Sequence, residues 1–186
     1  NEGHILPIQT ILVDSAPLSL LHEWLGKYQF NSSLIKDIYQ CLKQKQSGKR
    51  FISNEWELLR DRESLILRHS QEEAYIPEIS IDTIEINNDF VLVKDKHIAC
   101  LDADKVTLPL EIRKWKKGDK FVPFGMKGKK NVSDYLTDKK FSLFQKENQY
   151  VACSKGEIIW LVGERTDNRF KITEKTQRAL ILKIQE

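Results

Sequence analysis

Near Gly48 the spacing of apolar residues changes, and that change limits the folds open to the chain. Before it, Leu18, Leu21, Leu25 and Tyr28 recur at helical intervals, as do Leu34, Ile35, Ile38, Tyr39 and Leu42. Two such stripes predict a pair of helices sharing one core. Ser15-Ala16-Pro17 offers a serine cap and a proline for the first turn, and Asn31-Ser32-Ser33 ends the first helix and caps the second. After Gly48 the pattern alternates. KRFIS, WELLRD and SLILRH read as short strands, with turns at Asn54 and Arg62-Glu63. EISIDTIEI, DFVLVKD, HIACLD, LEIRKW, YVACS, EIIWLVG and ALILKI continue the strand reading. One short helix is expected from a Ser133 cap, resuming at FSLFQKE, and Lys155-Gly156 reads as a turn. Trp115 and Phe124 are assigned to core packing. Helices segregated from strands predict an α+β protein.

Charge divides the chain where the pattern does not. Up to Leu108 there are 12 basic and 17 acidic residues, a net −5; from Pro109 on there are 18 and 10, a net +8. The expected organisation is a helical unit with short strands over 1–74, connecting strands over 75–105, and a mixed α+β unit over 106–186. No apolar run reaches the roughly 20 residues of a membrane helix, and NEGHILPIQT lacks the basic flank and apolar stretch of a signal peptide. The absence of an initiator Met suggests a piece of a longer protein. Cys41, Cys100 and Cys153 form no C-x-x-C pair, so reduced, mostly buried thiols in a cytoplasmic protein are expected. The four histidines are too scattered for a metal site. Ser47-Gly48-Lys49 lacks the earlier Gly and the following Ser or Thr of a phosphate loop. Asp102 and Asp104 flank Ala103 and read as turn chemistry.

The stretch Arg113–Lys140 carries the functional signal. Between Arg113 and Lys130 lie eight Lys or Arg and one acid, Asp119. Gly118, Gly125, Gly128 and Pro123 punctuate it, and Trp115, Phe121, Val122, Phe124 and Met126 alternate with the charges. A cationic, turn-rich, aromatic-anchored loop suits a long polyanion, because displaced counterions drive that association. The candidate phosphate contacts are Arg113, Lys114, Lys116, Lys117, Lys127, Lys129 and Lys130, with Arg165 and Arg169 from a second polar loop. The bland alternative for Arg165 and Arg169 is internal pairing with Asp167 or Glu164. Asp119 is expected to order the Gly118 turn, and Trp115 and Phe124 to pack in the core in preference to stacking on a base, because duplex RNA is read through its shape and backbone.

The order of residues here resembles the C-terminal domain of bacterial tRNA(Ile)-lysidine synthetases. Arg113, Lys117-Gly118-Asp119-Lys120-Phe121, Pro123, Gly125-Met126, Gly128-Lys129-Lys130, Val132-Ser133-Asp134-Tyr135-Leu136 and Asp138-Lys139 carry the likeness. So do Ile159-Trp160-Leu161-Val162-Gly163-Glu164-Arg165, Asp167, Arg169-Phe170, Ile172-Thr173 and Thr176. Lys140-Phe141-Ser142 departs from the family, where a proline is expected. The first block, with SGKRF and LLRDRESLIL, is similar to the family's substrate-binding domain.

The resemblance implies a sandwich-like second unit of the kind shared with the phenylalanyl-tRNA synthetase β-subunit. It implies an enzyme that adenylates the wobble cytidine of an isoleucine tRNA with ATP and then lets lysine displace AMP. That chemistry uses a Ser-Gly-Gly-x-Asp-Ser loop in an N-terminal domain, and this sequence contains no Gly-Gly dipeptide. The expected division is therefore a non-catalytic, tRNA-holding chain here, with ATP and Mg in the absent catalytic domain and a possible homodimer of the full-length protein. Two other readings stand beside it: an interaction module whose basic loop docks an acidic protein, and a stand-alone RNA-binding protein.

Overall fold

The computed structural model describes residues 4–70, 76–87 and 90–185. The chain divides into two compact units, Asn1–Ala74 with Ser142–Phe144, and Tyr75–Phe141 with Gln145–Glu186.

In the first unit a strand β1 (His4–Pro7) and a short helix α1 (Ile8–Leu12) precede the two expected helices, α2 (Pro17–Gly26) and α3 (Ser32–Lys43). Pro17 opens α2, but the cap position falls on Ala16 and no side chain fills it, so Ser15 is not the cap. Asn31 does cap α3: its side-chain oxygen accepts the Leu34 N–H at 2.9 Å. Then come β2 (Lys49–Ser53), β3 (Trp56–Arg60) and β4 (Ser64–His69), which form an antiparallel sheet in the order β1-β4-β3-β2. Asn54 makes the tight β2–β3 turn with φ of 51°, a left-handed conformation that asparagine tolerates. Leu21, Leu25, Ile35, Ile38 and Leu42 pack with Phe51, Leu58, Leu65 and Leu67. Each such buried side chain contributes about 1.5–3 kcal/mol, so the helical stripes and the sheet face stabilise one another.

The second unit has two facing sheets and a helical cover. β5 (Ile79–Glu85) and β6 (Ile98–Asp102) flank the last strand, β13 (Arg178–Ile184), in an antiparallel sheet. The stretch between residues 75 and 105 thus contributes two strands to the sheet that β13 centres. Val91–Lys96 forms no strand, contrary to the DFVLVKD expectation, and residues 88–89 of that region lie outside the described residues.

The other sheet runs β12-β11-β10-β7, from β7 (Glu111–Lys114), β10 (Tyr150–Ser154), β11 (Glu157–Leu161) and β12 (Arg165–Thr166). A small ladder pairs β8 (Lys120–Phe121) with β9 (Lys130–Asn131), followed by α4 (Val132–Asp138) and α5 (Leu143–Glu147). Ser133 does not cap α4; Asn131 holds the cap position, with its amide donating to Asp134 at 2.7 Å.

β10 and β11 are covered on both faces. Tyr150, Ala152, Ile159 and Val162 pack with Ala99, Leu101, Leu180 and Leu182 of the other sheet. Val151, Cys153, Ile158 and Leu161 pack with Phe121, Val132, Tyr135 and Leu136. That explains why YVACS and EIIWL read as apolar runs with little alternation. The fold is α+β, with a sandwich-like second unit. Asp102 locks the sheet to the next turn: its buried carboxylate accepts from the Thr176 hydroxyl at 2.9 Å and pairs with Lys105 at 3.0 Å.

Candidate nucleic-acid interface

The basic stretch is a hairpin anchored at two carboxylates. It leaves β7 through a turn in which the Asp119 N–H donates to the Lys116 carbonyl at 3.0 Å, with Gly118 at φ of +96°. Asp119 then accepts from both Arg113 terminal nitrogens, at 2.7 and 3.0 Å, and from the Lys116 N–H at 2.9 Å. Burial works to raise the Asp119 carboxyl, but the hydrogen bonds from Arg113 and Lys116 outweigh it and hold the group below the usual carboxylate range. The same pairing raises the Arg113 guanidinium. Asp119 orders the turn, as expected, and Arg113 serves it.

The second anchor is Asp167, which is fully buried. One of its oxygens accepts the Val122 N–H at 2.8 Å and Arg169 Nη2 at 2.9 Å. The other accepts the Arg169 N–H at 2.8 Å and Nε at 3.0 Å. Arg169 also meets Glu157. Next to this hub, the Asn168 N–H donates to the Val122 carbonyl, the Phe124 N–H to the Thr166 carbonyl, and the Gly125 N–H to the Asn168 side chain at 3.1 Å. The hairpin is therefore stitched to the 165–169 segment, and Phe124 lies beside the strand that carries Arg165.

The nine candidate cations separate into two groups. Arg113 and Arg169 are committed to internal carboxylates. Lys130 pairs with Asp138 at 2.5 Å and lies 5.9 Å from the Tyr135 ring centre. Lys114 is exposed, 6.0 Å from the Tyr150 ring centre. Lys116, Lys117, Lys127, Lys129 and Arg165 are exposed, and their charged groups meet no carboxylate among the described residues. Lys120, outside the expected set, is exposed and equally unpaired among them. It stands next to Phe121, whose burial fixes the alternate residue outward.

Trp115 packs against the core, with its indole N–H on the Lys146 carbonyl. Phe124 departs from the core assignment: it is 44% exposed. Of the internal pairings weighed for Arg165 and Arg169, the one between Arg169 and Asp167 forms; the Val122 N–H on the same carboxylate, 45 residues away, had no signal in the sequence. Among the described residues no group of three or more His, Cys, Asp or Glu has metal-holding geometry. None of the helices there is long and apolar enough to cross a membrane.

Residues 1–70 match the family described as the TilS substrate binding domain. Nearly the whole chain aligns with named relatives. It is 47% identical over 180 residues to the tRNA(Ile)-lysidine synthase of Bacteroides thetaiotaomicron, covering 95% of this chain and 42% of that protein. It is 41% identical over 191 residues to the enzyme of Parabacteroides distasonis, covering 95% and 43%. Over this stretch the chain is similar to tRNA(Ile)-lysidine synthases, and it spans less than half the length of these relatives. A solved structure described as the TILS C-terminal domain is similar at a TM-score of 0.49 and 17% identity, over 75% of this chain and 92% of that one.

Proposed function

We propose that this chain is the RNA-holding part of a tRNA(Ile)-lysidine synthase and that its hairpin grips the phosphate backbone of tRNA(Ile). One observation carries the reading. Lys116, Lys117, Lys127, Lys129 and Arg165 are exposed without an acidic partner among the described residues, while Asp119 and Asp167 fix the backbone beneath them. Like charges held together on an ordered loop repel one another, and a polyanion relieves that repulsion. Arg113, Arg169 and Lys130 then act as supports for the hairpin. The ligation of lysine to the wobble cytidine, with ATP and Mg, belongs to the remainder of a cytoplasmic enzyme, and the two units here act as separate domains that hold its substrate.

The test replaces Lys116, Lys117, Lys127 and Lys129 with Ala and measures tRNA binding from low to moderate salt. Each lost phosphate contact lowers the slope of log affinity against log salt by about 0.7–0.9, so the quadruple variant should lose about three units with an unchanged melt. A wild-type slope would sink the proposal. Unrelated duplex RNA should compete in part; competition by an acidic protein alone would favour a protein-docking module.

A further inference from the structure

Beside the hairpin, within the second unit, lies a cavity of about 390 Å³. That is the size of a small-ligand site. Val93, Ile98, Phe124 and Trp160 supply apolar wall, and Lys94, Lys96 and Arg165 bring positive charge to it. Phe124 is exposed although Val122 and Pro123 before it are buried. Its position is not loose, since its N–H is held by the Thr166 carbonyl at 2.9 Å and the next N–H by Asn168. Two acids also line the cavity. Asp95 is occupied by His97, at 2.8 Å from its N–H and 3.3 Å from its ring. Glu164 has no partner among the described residues, which leaves a hydrogen-bond acceptor at the wall.

We propose that this cavity receives one unstacked nucleotide of the bound RNA, with the base against Phe124 and its phosphate at Arg165. The inference rests on the RNA reading above and deepens it. Bases inside a duplex have their faces covered, and duplex RNA is met through its backbone and 2′-hydroxyls. A fixed aromatic ring at the mouth of a cationic cavity has no use for a duplex, whereas an unpaired base offers it a free face. Glu164, an acceptor only, favours bases that carry an exocyclic amino group over uracil. Phe124 belongs to the same hairpin as Lys127 and Lys129, so the slot and the phosphate grip meet one continuous strand.

The experiment uses the full chain and three labelled RNAs: a blunt hairpin duplex, the same hairpin with a four-adenosine tail, and the same with a four-uridine tail. Affinities are read by fluorescence anisotropy. The adenosine tail should strengthen binding about tenfold, within the worth of one base stacked on an aromatic side chain, and the uridine tail should add less. Phe124→Ala should bring the tailed RNA to the blunt level while leaving blunt affinity and the melt unchanged. Glu164→Ala should narrow the gap between adenosine and uridine. If the blunt hairpin binds and a tail adds nothing, or if Phe124→Ala keeps the tail's advantage, the slot is refuted and the backbone grip stands. If none of the three RNAs binds, both fall.

Discussion

Asp167 offers the strongest quantitative test of how the hairpin is held. Replacing it with Ala removes an acceptor serving four N–H groups: the Val122 amide and three on Arg169. Hydrogen bonds to a charged group are worth about 1.5–3 kcal/mol, and breaking a fully buried ion pair costs about 3–5 kcal/mol. Here the carboxylate is fully buried but the Arg169 side chain is 31% exposed, and Glu157 still holds it. Water can therefore recover part of the guanidinium's solvation, and the cost falls at the low end, about 3 kcal/mol. For a unit of this size that lowers the melting temperature by about 10 °C. Circular dichroism melts of the chain would measure it. Arg169→Ala strands the fully buried carboxylate and should cost at least as much, and the double variant should cost clearly less than the sum of the two singles, since the residues share one interaction. A melt within 2 °C of wild type, or strictly additive variants, would refute the role of Asp167 as an anchor.

Two further outcomes follow from the same packing. A polypeptide covering 76–185 should unfold cooperatively, whereas one covering 104–185 should not, because it lacks β5 and β6, the strands on either side of β13; a cooperative melt of the shorter piece would overturn this. Asp119 titrates below its ordinary value in the folded protein, so its contribution is complete above the unfolded carboxylate value of about 3.9 and is lost as pH falls through the lower folded value. Asp119→Asn should accordingly be less stable at pH 7 and lose less than wild type between pH 5 and pH 2 in urea titrations; an identical pH dependence would contradict the Arg113–Asp119 pairing.

Local periodicity made most elements legible. Helices α2 and α3 followed from Leu21, Leu25, Ile35, Ile38 and Leu42, since a buried stripe must repeat with the helix. The misreadings also have physical causes. Val91 and Val93 sit in an alternating pattern, but they are exposed or face a cavity instead of joining a ladder, and the pattern carries no word on pairing. The free cations were visible as charges. Their sorting was not, because Arg113 finds Asp119 through the fold of a turn and Arg169 finds Glu157 across a sheet. Only Asp167 with Arg169 lay close enough in sequence to be weighed beforehand. Phe124 looked like core because its neighbours are, and its exposure depends on the 165–169 segment fixing its backbone.

The place of β13 between β5 and β6 imposes an order in time. A ribosome delivers β5 and β6 long before Arg178–Ile184, and neither early strand pairs with the other. Until the late strand arrives they hold unpaired amides and carbonyls, and Ala99 and Leu101 lack the cover of Leu180 and Leu182. Contacts between residues so far apart in sequence form slowly, because the intervening chain must first lose its freedom. A nascent chain halted before Arg178 would thus expose a sticky half-sheet to chaperones and proteases, and completion of the second unit waits on its final strand.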